Sequence, residues 1–120
     1  MAKSYTDKQI KYVCRKAIDT MHGYTSPQNC TFPTNSIIKG MKGELKDGEG
    51  NDLTAEGIAD AARNEVCDLD LRQTGFGLVG MGDNMLNISN YMRGAVLQAI
   101  KDIDDNAVTE AEIDAYLEKA

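Results

Sequence analysis

The chain has 120 residues, 42% hydrophobic and 27% charged, with a formal charge of −6; this ordinary globular mixture excludes a disordered polyelectrolyte, and the length suits one hydrophobic core. No run nears the ~18 consecutive apolar residues of a membrane span. Three cysteines, Cys14, Cys30 and Cys67, are an odd number at no recurring spacing, which excludes a simple disulfide framework.

The start, MAKSYTDKQIKY, holds no apolar stretch ending in a small-residue cleavage site, so the chain reads as a single cytoplasmic domain over residues 1–120. Its charge is divided unevenly. Met1 to Lys46 carry eight basic against three acidic residues, whereas from Asp47 onward five basic residues face sixteen acidic ones. Such a +5/−11 split suits a nucleic-acid surface, an acidic interaction face or complementary ends of a self-associating subunit. It equally suits two halves that neutralise each other within the fold.

In chain order, Tyr5-Thr6-x-x-Gln9-Ile10 predicts a first helix with Thr6 as N-cap and Gln9 completing a capping box, running to about His22 and stopped by Gly23. Ile10, Val13, Cys14, Ala17, Ile18 and Met21 line one face of it. GYTSPQNCTFPT then reads as a long loop over about 23–35, since it holds both prolines. A short helix over Ser36–Leu45 carries Ile37, Ile38, Met41 and Leu45, with Gly40 and Gly43 each weakening it by about 1 kcal/mol relative to Ala. After the polar turn KDGEGND, Leu53-Thr54-x-x-Gly57-Ile58 starts another capped helix on Ile58, Ala61, Ala62, Val66 and Leu69.

QTGFGLVGMGDN predicts a glycine-rich loop over about 73–84. Ser89 caps a further helix whose stripe is Met92, Ala95, Val96, Ala99, Ile100 and Ile103, and this helix and the first should form the centre of the core. Val108-Thr109-x-x-Glu112-Ile113 opens the last helix, Thr109–Lys119, short and acidic, with Ile113, Tyr116 and Leu117 turned inward. The fold class is therefore all-α, a compact bundle of four to five helices. KDGEGNDLTAEGI and KDIDDNAVTEAEI echo each other 55 residues apart, as two acidic turns before capped helices do by chance.

Candidate sites are few. Gly75, Gly77 and Gly80 spell G-x-G-x-x-G, whose amides could cradle a phosphate. Leu69 and Leu71 in VCDLDL could alternate as a strand, but Gly82-Asp83-Asn84 should interrupt the helix a dinucleotide site requires, and no second strand follows. In the same segment Phe76, Leu78, Val79 and Met81 could instead dock a partner chain, or simply pack across helix ends. Lys8, Lys11 and Arg15 share one side of the first helix, opposite its apolar stripe and with Tyr12 nearby; Lys39 and Lys42 edge the short helix, and together these could neutralise phosphates or remain a solvated face.

Asp102, Asp104, Asp105 and Asn106 resemble a calcium loop only in part. With Asp102 first, position 12 falls on Ile113; with Lys101 first, a lysine stands where an oxygen ligand belongs. Cys14, His22, Cys30 and Cys67 lack any paired zinc-ligand spacing. No nucleophile is placed beside a base, so no catalytic residue, metal or cofactor is nominated. The sequence thus predicts a small non-catalytic binding or assembly protein acting through protein–protein association, including a homo-oligomer, of a kind found among phage and bacterial accessory proteins. Nucleic-acid binding through the basic helix and capture of a phosphorylated ligand by the glycine loop are the alternatives.

Overall fold

Thr6, Thr54 and Thr109 start three helices as their spacing predicts. In a computed structural model, which describes the backbone of residues 5–21, 34–72 and 79–119 and the side chains of these except 66–72 and 79–88, five helices are present: α1 (Asp7–Met21), α2 (Thr34–Met41), α3 (Ala55–Arg72), α4 (Val79–Asp104) and α5 (Glu110–Glu118). Among the described residues there is no strand beyond a single antiparallel bridge, Lys46 to Asp52. The all-α bundle is the fold.

The N-caps are explicit. The Gln9 N–H donates to Thr6 Oγ1 at 3.1 Å and the Thr6 N–H to Gln9 Oε1 at 2.9 Å, a complete capping box. At α5, Glu112 N–H to Thr109 Oγ1 (3.1 Å) and Thr109 N–H to Glu112 Oε1 (3.0 Å) repeat it. At α3, Thr54 Oγ1 accepts from the Gly57 N–H at 3.1 Å. Because α5 fully buries only Ile113, its cap should matter: Thr109→Ala is expected to cost about 1 kcal/mol. The backbone and hydroxyl of Thr109 hold the Glu112 carboxyl below its ordinary range. A depressed carboxylate stabilises the fold above its unfolded pKa and loses that contribution as pH falls through its lowered folded value. Thermal melts should therefore show the box weakening on acidification; a Thr109→Ala variant indistinguishable from the parent at neutral pH would contradict this account.

Two helices end alike. At α2 the Glu44 N–H donates to the Lys39 carbonyl at 2.8 Å and the Gly43 N–H to Gly40 at 3.1 Å, with Gly43 at φ 77°. At α4 the Ala107 N–H reaches Asp102 at 2.8 Å and the Asn106 N–H reaches Ile103 at 3.2 Å, with Asn106 at φ 57°. Both are Schellman ends, built on the two residue types that tolerate the left-handed region best. Gly43 thus stops α2 at Met41, short of the expected Leu45, and Thr34 and Asn35, assigned to the preceding loop, are its first turn.

Helix α4 also departs from expectation. Ser89 is not a cap but an interior residue, fully buried, ten residues after the helix begins at Val79. It stands three residues before Met92 and seven before Val96, so it belongs to the same stripe. Residues 79–84 of the expected glycine loop accordingly lie in α4; residues 73–78 fall outside those described, as do 22–33.

Helix α4 is the central strut. Tyr5 at the start of α1 donates its hydroxyl to Asp104 at the end of α4 (2.8 Å), so the two helices run antiparallel. Along α3, Glu56 meets Lys101 at 3.8 Å, Asp60 meets Arg93 at 2.5 Å and Arg63 meets Asn90 at 2.6 Å, an antiparallel ladder of surface pairs each worth little alone. Between these helices lie Val13, Ala17 and Met21 of α1, Ile58, Ala59 and Ala62 of α3, and Met92, Val96, Ala99 and Ile100 of α4, all buried. Helix α2 lies along α3, with Ser36 donating to Glu65 at 2.5 Å.

Candidate functional site

The basic side of α1 is largely occupied by its own protein. Lys8 bridges to Asp114 at 2.9 Å and Glu110 at 3.9 Å, and the Asp114 bond holds its ammonium above the usual lysine range. Arg15 pairs with Asp19 one turn on, at 3.1 Å. Tyr12, read from the sequence as lying near the lysines, is 6% exposed. The ring of Tyr116 from α5 packs edge-on against it, centroids 5.4 Å apart. Lys16 lies over both rings, 4.2 Å from the Tyr116 centroid and 5.3 Å from that of Tyr12. Burial first, then the hydrogen bond to Asp19, raises the Tyr116 phenol above its ordinary value.

Lys11, Lys39 and Lys42 remain exposed, and no carboxylate among the described residues pairs with them. The candidate partner and phosphate residues are placed only in part. Val79, Gly80 and Met81 form the start of α4, whereas Gly75, Phe76, Gly77 and Leu78 lie outside the described residues. VCDLDL is the last part of α3, a helix rather than a strand. Gly82-Asp83-Asn84, expected to interrupt a helix, sits inside α4. The glycine segment thus joins two helices, which is not the strand-to-helix setting of a dinucleotide loop.

Cys14 is buried on the apolar stripe, and burial pushes its thiol up to about 11, the behaviour of a small core residue. His22 and Cys30 lie outside the described residues, as does the Cys67 side chain. No three His, Cys, Asp or Glu side chains among the described residues converge on a metal-sized space. Asp102 and Asp104 belong to the last turn of α4, where the helical backbone prevents the two from closing a calcium loop with Asn106. The 55-residue echo is likewise confined to its capped helix start, since Lys101–Asp104 are helical where Lys46–Glu49 form a turn.

That turn builds the feature the sequence did not reveal. Asp47 Oδ1 accepts from the Glu49 and Asn51 N–H groups at 2.8 and 3.0 Å, bonds that hold its carboxyl below the usual range. The Lys46–Asp52 bridge and ion pair close the turn over the start of α3. Beneath it, between α2, the first residues of α3 and the end of α4, opens a cleft of about 650 Å³. Tyr5, Asp52 and Asp104 face it, from three positions far apart in sequence. Burial and the Asp104 carboxylate raise the Tyr5 phenol, keeping its proton.

The chain matches no family model, no curated protein and no solved structure. Among the described residues no helix is long and apolar enough to cross a membrane.

Proposed function

We propose that this chain is a non-catalytic binding or assembly protein that works through protein–protein association, with a second copy of itself as the partner. The observation supporting this reading is that folding cancels the charge split only in part. Of the first 46 residues, Lys8 and Lys46 are the described basic side chains that bridge to carboxylates beyond them. Lys11, Lys39 and Lys42 stand exposed from the positive part, and Glu49, Asp105 and Glu118 from the negative part. Exposed charges of opposite sign steer copies together and fix their register. Tyr91 adds an exposed aromatic on α4, 65% accessible, of the residue type enriched at interfaces.

Light scattering and native mass spectrometry should show an oligomer at low salt that dissociates as salt is raised, because exposed charges are screened within about 10 Å at 0.1 M. Reversing the charge of Lys11, Lys39 and Lys42 together should yield a monomer under the same low-salt conditions. A parent protein that is monomeric at high concentration and low salt removes self-association. A low-salt shift of DNA or RNA that the reversed variant lacks would transfer the same three lysines to nucleic-acid binding.

A further inference from the structure

The last helix is held to the first by contacts that need not lie within one chain. Helix α5 follows α4 in sequence yet is bound to α1. Its Asp114 and Glu110 meet Lys8 at 2.9 and 3.9 Å, the Tyr116 hydroxyl donates to Asp19, and the Tyr116 ring packs against Tyr12 and under the Lys16 ammonium. Ile113 is the one side chain that α5 buries fully. A helix with so little buried apolar surface opens at lower free energy than the helices of the core.

The connection to α4 is the second observation. Helix α4 ends at Asp104 and α5 begins at Glu110. The bend between them is set by Asn106 at φ 57°, a conformation that every residue with a Cβ disfavours, asparagine less than most. Asp105, Asn106 and Ala107 are all exposed, so rotation at Asn106 swings α5 aside without disturbing a buried side chain at the pivot. The side of α1 that carries Lys8, Tyr12 and Lys16 then receives the α5 of another copy with the same charge complementarity. Contacts given up within one chain are regained between two, which makes exchange of a terminal element a low-cost route to a dimer.

We propose that α5 is exchanged between two copies of this chain, each α5 docking on the α1 of the other by a pivot at Asn106. This rests on the association reading and names the surface through which it works.

The test is native mass spectrometry of the full chain at low salt, on the parent and on two variants of half-exposed side chains, Lys8→Glu and Asp114→Lys, each checked for helical circular dichroism. Each variant alone sets like charges against each other where α1 meets α5. When the two are mixed, one of them isotope-labelled, opposite charges face each other again only if α5 crosses between copies, so the mixed dimer should exceed random pairing by at least about fivefold. A second pair of variants reads the pivot with the charges unaltered. Asn106→Ala strains the closed bend and should raise the dimer share, whereas Asn106→Gly relieves it and should lower that share. A parent dimer whose mixed form stays at random pairing, or whose share is indifferent to residue 106, would overturn the exchange and leave association standing. A parent that stays monomeric at high concentration removes both.

Discussion

Replacing Ile100 by Asp is expected to remove about 2.5–6 kcal/mol of stability and to lower the melting temperature sharply. Ile100 is fully buried among the side chains of α1, α3 and α4. Truncation to Asp forfeits about 1.5–3 kcal/mol of burial. A carboxyl there must either carry an unpaired charge or take up a proton and remain a polar group with unmet hydrogen bonds, costing about 1–3 kcal/mol more. A domain of this size has only about 5–15 kcal/mol in total. The introduced carboxyl would titrate above its unfolded value, so the deficit should be smallest below about pH 4, grow as pH rises from there and level off above the raised folded pKa. Tyr91→Asp on the same helix is the control; at an exposed position it should shift stability by no more than about 0.5 kcal/mol. Melting followed by circular dichroism distinguishes them. Similar melting temperatures for the two variants would contradict the placement of α4 against α1.

What the sequence disclosed and what it withheld separate along physical lines. Thr6, Thr54 and Thr109 were readable because a cap is satisfied within three residues of itself, and the stripes of α1 and α4 because a helix fixes which residues share a face. Ser89 was misread because the same residue type serves as cap and as small buried polar group, and only the register of the whole stripe decides between them. The burial of Tyr12 was not readable for a different reason. It lies on the polar side of α1, and what buries it is Tyr116, from the last helix of the chain. The cleft is further still from local signals, since Tyr5 meets Asp104 across 99 positions and Asp52 faces the same space only because the 43–54 turn folds over α3. Even the charge split, visible as a count, acquired meaning only when Lys8 and Arg15 proved to be paired and Lys11, Lys39 and Lys42 did not.

Gly40 gives the sharpest contrast between propensity and packing. By helix propensity alone, Gly40→Ala within α2 should stabilise the protein by about 1 kcal/mol. The structure reverses the sign. A Cβ at residue 40 would sit 2.7 Å from Ile58 Cγ1 and 3.2 Å from Cγ2, and Ile58 is buried, β-branched and stiff about χ1. Relief requires α2 to lift from α3, and overpacking of this kind costs about 1–3 kcal/mol. The expected result is a lower melting temperature for Gly40→Ala. The cause can be isolated with a second substitution, Ile58→Ala, which is destabilising alone because it leaves a cavity but opens the space that the new methyl needs. The double variant should therefore be more stable than the sum of the two losses predicts. A stabilised Gly40→Ala, or strict additivity in the cycle, would mean that α2 does not press on α3 at this point, and the floor of the neighbouring cleft would have to be redrawn with it.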